Sequence, residues 1–447
     1  MQSRLTPPSA EFRRELDERK RPEPSHGIRT EAQRDRDRVL YSSALLRIGH
    51  ITQVAAPEVG HTFHSRLTHS LKVAQVARGL AQRLKHEADH HQLEPRSTLL
   101  VDALDVDATE AAALAHDLGH PPFGHLAEHV LLKRSSKASF EGNAQSFRIV
   151  TRLSLRTPEI LGLNLTRRTL NGLLKYPWLR AEHPPIRAKK WGAYDVDRDY
   201  FEWTREGIPN DTRTLEAELM DWADDITYAV HDMDDFYRAG LIPLERLTSD
   251  RLERAVFEDY LRTRHGSDGE RYARAARRLF EGPLASIRTR YAGLADERIN
   301  LRIVGSSLIG RYIAAPALTD DGQDVLFEII QEMSDEVAVL KDLTWCYIIE
   351  RPSLAVIQHG HRKIIDSLYD MYSKALKGGD LSVFPAPFRE RAADAKSDPD
   401  EESLTIDQER VMIDLIAGMT ESGATELYKQ GLGVTQGSLV RHTSGLG

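Results

Sequence analysis

The chain is 447 residues long, 40% hydrophobic and 29% charged, with a net charge of −8; that length suffices for two or three domains with a real core. No apolar run approaches the roughly 20 residues of a membrane span, and the Arg-, Glu- and Pro-rich start lacks the apolar segment of a secretory signal, so a cytoplasmic protein with no membrane partner is expected. One cysteine, Cys346, permits neither an intrachain disulfide nor a thiolate metal cluster, and the negative balance argues against broad affinity for nucleic acid.

In chain order, residues 1–30 read as a flexible polar arm with little to bury. Leu67, Leu71, Ala74, Ala77, Leu80, Ala81 and Leu84 recur at spacings of three and four and predict a helix with one buried stripe. Asp107 followed by Glu110 has the form of a capping box opening an alanine-rich helix. That helix runs to His116-Asp117 and stops at Gly119, with Pro121 and Pro122 beyond. Residues 160–212, with Tyr176-Pro177-Trp178 among them, read as an irregular excursion. Leu219, Trp222, Ala223, Ile226 and Val230 predict a further amphipathic helix. Helical patterns continue from 241, then an acidic linker near 392–403 and a last helix over 406–429. No strand signature of any strength is present. The expectation is an all-α chain: an arm over 1–30, a core over 31–240 and a helical C-terminal region over 241–447.

Three places suggest a common site: Arg66-Leu67-Thr68-His69, the pair His116-Asp117, and Asp224. Two imidazoles and two carboxylates suit a divalent ion (Mn²⁺, Mg²⁺, Fe²⁺, Co²⁺, Ni²⁺ or Zn²⁺) with positions left for water and a phosphate oxygen. Neighbouring residues lie about 100° apart on a regular helix, so His116 and Asp117 can converge only where the helix ends. Alone, a His-Asp pair arises by chance and an acidic stretch is a solvated face. Here, however, Asp224, Tyr228 and Asp232 share one helix face while the apolar stripe takes another, and like charges so spaced would not be gathered for stability. After the pair, His125 and Glu128 lie three apart on a new helix, the spacing of a general acid/base with its orienter.

Four segments in this order, Arg66-Leu67-Thr68-His69-Ser70-Leu71, His116 to His125, Phe140-Glu141-Gly142-Asn143-Ala144-Gln145 and Ala223-Asp224-Asp225-Ile226-Thr227-Tyr228, resemble the HD-domain deoxynucleoside triphosphate triphosphohydrolases. The likeness is to the bacterial dGTPase-like group and, more distantly, to the mammalian SAM-and-HD-domain dNTP hydrolase. It implies an HD-domain helical bundle with a helical C-terminal extension, and a metal-dependent hydrolase that cleaves a dNTP to deoxynucleoside and tripolyphosphate. By that resemblance His69, His116, Asp117 and Asp224 are metal ligands and His125 with Glu128 the catalytic pair. Gln53 and Val54 then face the deoxyribose, Arg66 the α-phosphate, Tyr228 the sugar ring and Asp232 the 3′-hydroxyl, with His120 also on the substrate side. Relatives form tetramers or hexamers, some with an activating nucleotide, so a homo-oligomer is expected.

Two departures stand out: Ile51 replaces a lysine found before Thr-Gln-Val in many relatives, and Gly142 replaces a histidine found in some. Rival readings are an HD phosphohydrolase acting on guanosine tetraphosphate or a cyclic nucleotide, and a non-catalytic nucleotide sensor. His86-Glu87-Ala88-Asp89-His90 matches the zinc-protease pattern, but its histidines fall on the polar side of the Leu67 helix. Replacing His86 and His90 by Ala is expected to leave metal content unchanged, as measured by elemental analysis; loss of the ion would revive the protease reading.

Overall fold

The computed structural model describes residues 2–24, 27–53, 64–182, 184–209, 211–395 and 403–434. Several of its helices begin where a side chain satisfies one of the first free amides. The Ser65 hydroxyl accepts from the amide of Thr68 and opens the helix Arg66–Asp89. Val73, Ala74, Ala77, Leu80, Ala81 and Leu84 are buried along it. Leu71, expected in that stripe, is 43% exposed; the buried position is its neighbour Ser70, about 100° around the helix.

The next helix, Val106–Ala115, is capped by Asp105, whose carboxylate accepts from Ala108 N at 2.9 Å. Asp107, expected as the cap, instead takes Arg36 and Arg78 as partners. Ala108, Ala111, Ala112, Ala113 and Ala115 are buried, and their short side chains let this helix lie against Arg66–Asp89, Glu31–Leu40 and Leu215–Arg238. Beyond Ala115 the chain crosses the helix Gly142–Arg148 so closely that a Cβ on Gly119 would sit 2.1 Å from the Gly142 carbonyl oxygen. Only glycine permits that crossing.

Residues 2–24 hold more buried anchors than the polar arm their composition suggested. Gln2–Leu5 pairs antiparallel with Val325–Ile329, which pairs with Pro316–Asp320. Leu5 and Leu16 are buried, and the Arg19 guanidinium is sunk against Glu31, Asp35 and the Asn164 carbonyl. Charged side chains that read as surface are here internal ties. Within 160–212, expected to be irregular, the helix Arg167–Leu173 is buried throughout and capped by Thr166. The expected last helix is two, Ile406–Ala417 and Glu421–Gly431, because Gly418 closes the first and Thr420 caps the second. Of the acidic linker, 392–394 end the helix Ala386–Asp394, and 396–402 lie outside the described residues.

Among the described residues the fold is all-α apart from these short strands and the pair Leu155–Thr157 with Ile160–Leu161. Its apolar interior has two main parts. The larger joins the helices Arg66–Asp89, Val106–Ala115, Leu215–Arg238 and Gln331–Thr344. The smaller seats Ala127, Val130 and Leu131 of the helix His125–Arg134 against Ile365, Leu368 and Tyr372 of Pro352–Gly378 and Met412 and Ile416 of Ile406–Ala417. Among the described residues no helix is long and apolar enough to cross a membrane.

One buried carboxylate fastens this second part. Asp414 accepts from Arg148, Arg391 and Gln145. Burial pushes its carboxyl up, but Arg148, Arg391 and Arg410 outweigh it and hold the group down at about 2. Its contribution to stability is therefore full above the ordinary carboxyl value near about 4 and fades as pH falls toward 2. Asp414→Asn is expected to cost about 3–5 kcal/mol in urea unfolding at neutral pH, and to flatten the acid dependence between about pH 4 and 2.

Candidate active site

Four donors expected to meet do meet. His69 lies in the first turn of its helix, while His116 closes the alanine helix and leaves Asp117 on the turn that follows. Asp224 projects from the middle of Leu215–Arg238. His69 Nε2 is 3.0 Å from Asp224 Oδ1, and His116 Nε2 is 3.5 Å from that oxygen and 3.4 Å from Asp117 Oδ1. His116 Nδ1 donates to the Ala113 carbonyl at 2.7 Å, which turns Nε2 inward. That Nε2 is buried and has no hydrogen-bond partner. An orphaned imidazole nitrogen facing two carboxylates is the chemistry of a cation site, and donor atoms of His69, His116 and Asp117 lie within 4.8 Å of one another. These residues could hold a divalent ion.

The charges agree. Burial pushes the Asp117 and Asp224 carboxyls up, yet the imidazoles, Arg66 and Lys175 hold both well below the usual range. Burial pulls His116 down, and the two carboxylates outweigh it and hold it up at about 9. Arg66, 3% exposed, donates to Asp117 Oδ2 at 2.8 Å and so braces this cluster from the cavity wall.

A second group sits beside the first. His120 is wedged between carboxylates, Nδ1 3.0 Å from Asp117 Oδ1 and Nε2 3.1 Å from Glu128 Oε1. Glu128 Oε2 lies 3.3 Å from His125 Nδ1. Glu128 is buried while the His125 side chain is 72% exposed and faces the cavity. Burial raises the Glu128 carboxyl, but His120 and His125 outweigh it and keep it ionised. A Cβ on Gly142 would stand 2.7 Å from Glu128 Oε1, so the glycine makes room for the carboxylate that orients His125.

Both groups open on a cavity of about 800 Å³, lined also by Gln53, Arg66 and Tyr228. Gln53 Oε1 is buried and unpartnered. Val54 lies outside the described residues. Asp232 is buried beside Tyr228 and is not part of the lining; burial and the Asp235 carboxylate push its carboxyl well up. His86 and His90 are exposed at a helix end, where His90 Nδ1 bonds the His86 carbonyl rather than facing a cleft.

Two lysines on the wall escaped the sequence reading. Lys175 pairs with Asp221 and lies 3.5 Å from Asp224, and Lys190 lies 2.9 Å from Glu141 and 3.8 Å from Glu128. Both sit in the stretch without periodicity; the signal was a lysine before each aromatic cluster, Lys175-Tyr176-Pro177 and Lys190-Trp191-Gly192. Burial pulls both down, and neighbouring carboxylates outweigh it and keep them charged. The C-terminal region adds Arg351, Gln358, His361 and Glu421 to the wall.

The HD domain family model matches residues 66–229, and that of the Phosphohydrolase-associated domain matches residues 327–430. The chain is similar to the deoxyguanosinetriphosphate triphosphohydrolase-like protein of Streptomyces coelicolor, 37% identical over 421 residues, 90% of this chain and 92% of that one. It is 34% identical to the like-named protein of Corynebacterium efficiens over 424 residues, 91% and 92% of the two chains. With that of Shewanella oneidensis it shares 29% over 447 residues, 90% and 93%.

Because His116 must shed its proton to offer Nε2, divalent-ion affinity measured by titration calorimetry is expected to rise with pH up to about 9 and then level. Asp224→Ala is expected to lower that affinity by more than about 100-fold.

Proposed function

Because the chain belongs to the deoxyguanosinetriphosphate triphosphohydrolase-like family of HD-domain hydrolases, we propose that it is a metal-dependent dNTP triphosphohydrolase, releasing deoxynucleoside and tripolyphosphate. The observation that carries this reading is that one cavity is lined by His116, Asp117 and Asp224 of the donor cluster and by His125, which Glu128 holds from behind.

The reaction adds water at the α-phosphorus and breaks the bond from that phosphorus to the 5′-oxygen, which leaves with a proton. His69, His116, Asp117 and Asp224 would hold the ion, which when bound polarises the α-phosphoryl group and favours ionisation of a water. His125, turned by Glu128, moves a proton at the attacking or the leaving oxygen. Arg66, Lys175, Lys190 and Arg351 are cations of the cavity wall that can neutralise the phosphates. Gln53 and Tyr228 take the deoxyribose, and a tyrosine ring packed at C2′ would reject a ribose by its extra hydroxyl. Asp232, buried beside Tyr228 behind the cavity wall, is the carboxylate assigned to the 3′-hydroxyl. The exposed Leu252, Val256, Ile299 and Ile303 are consistent with assembly into a tetramer or hexamer.

The test is product identity. Incubation with each dNTP and Mn²⁺ is expected to yield tripolyphosphate by ion chromatography; pyrophosphate with a monophosphate would mean attack at another phosphorus and end this reading. His125→Ala is expected to lower kcat by about 10²–10⁴ with metal content unchanged. G142A, by displacing the Glu128 carboxylate, is expected to lower kcat and, by disturbing its buried contact with His120, the melting temperature as well.

A further inference from the structure

The two loops that carry Gln53 and His125 are tied to each other by a segment hundreds of residues away. Arg47, buried, donates through Nη1 to the carbonyls of Ala417 and Met419 at 3.0 and 3.2 Å. Through Nη2 it donates to the carbonyls of Leu118 and His120 at 2.6 and 2.9 Å. One guanidinium thus cross-links the turn after Ile406–Ala417 to the turn that carries Asp117 and His120. Two residues further, Glu421 completes the strap. Its Oε1 accepts from the amides of Thr52 at 3.0 Å and Phe123 at 3.2 Å, and its Oε2 accepts from the Thr52 hydroxyl at 2.7 Å.

Those bonds fall next to the residues that matter. Thr52 precedes Gln53 and bridges to Ser65, which caps the helix bearing Arg66 and His69. Phe123 has φ +67°, a left-handed conformation that a bulky side chain adopts only when its surroundings impose it. It leads through Gly124, also left-handed at φ +59°, into the first residue of the next helix, His125. What imposes that turn comes from the C-terminal region. The Phe123 ring stacks on His361 with centroids 4.0 Å apart, and its amide is held by Glu421. A carboxylate accepting three hydrogen bonds from two separate loops fixes their relative position, and both loops face the cavity.

We propose that Glu421 is a positioning residue for the reaction: it holds the Thr52–Gln53 and Phe123–His125 segments in register, so that the C-terminal region is needed to aim the HD-domain machinery. This rests on the nucleotide reading above. The role lies in accepting hydrogen bonds rather than in charge, which separates it from a direct contact with substrate or cation.

Three variants of the full chain divide these readings. Glu421→Gln keeps an oxygen at the Oε1 position for both amides. Glu421→Asp keeps the charge but withdraws the oxygens by one methylene, and Glu421→Ala removes the acceptor. With Mn²⁺ and the dNTP the wild type turns over fastest, E421A and E421D are expected to lose at least about tenfold in kcat/KM and E421Q to stay within about threefold. Hydrogen-exchange mass spectrometry is expected to show faster exchange in the peptides containing Thr52 and Phe123 for E421A and E421D, with metal stoichiometry unchanged. If E421A fails to fold, E421D carries the same prediction. Full kcat/KM in E421D, or E421Q as impaired as E421A, would overturn the proposal. Were the wild type to hydrolyse no dNTP, accelerated exchange would keep the strap while the nucleotide reading fell; unchanged exchange would end both.

Discussion

A histidine and an aspartate adjacent in sequence can face one point only where the helix that carries them stops. Everything around the cavity follows from how that stop is made. The alanine helix closes at His116, the backbone crosses Gly142–Arg148 at Gly119 with no room for a Cβ, and the chain turns so that Asp117 swings toward His69 and Asp224. The alanines serve the same end: their small side chains let three neighbouring helices approach closely enough for His69 and Asp224 to reach the stop.

The site is built from opposed charges that cancel locally. Asp117 faces His116, His120 and Arg66; Asp224 faces His69, His116 and Lys175; Glu128 faces His120, His125 and Lys190. No buried carboxylate in this group stands without a cation or imidazole, which is how so many ionisable side chains are tolerated away from water. These pairings do not satisfy every polar atom. His116 Nε2 and Glu128 Oε1 remain unsatisfied, as expected of groups shaped around something other than their neighbours.

Much of this proximity was legible in the sequence, and the reason is local. The i, i+4 spacing of Asp224 and Tyr228, the i, i+3 spacing of His125 and Glu128, and the placing of His116-Asp117 before Gly119 are statements about single helices, which periodicity and caps express directly. What escaped was non-local or aperiodic. Lys175 and Lys190 sit just beyond two short helices, Arg167–Leu173, which is buried throughout, and Pro185–Lys189, which buries no residue, so neither shows the two-faced pattern that marks a helix in sequence. The strand Gln2–Leu5 finds its partner beyond residue 320. Glu421 and Arg47 make their bonds across some 370 positions, and no pattern within either segment announces them. The helix end at Gly418 was visible only as one glycine between Ala417 and Met419.

The division of the apolar interior has an evolutionary consequence. The helix that begins with His125 commits its inward face, Ala127, Val130 and Leu131, to side chains from Pro352–Gly378 and Ile406–Ala417 rather than to the alanine helix before it. A gene fragment ending after Leu215–Arg238 would encode all four convergent donors yet leave that helix without a seat. The gene segment for the first half thus codes for a helix whose apolar seat is coded in the second.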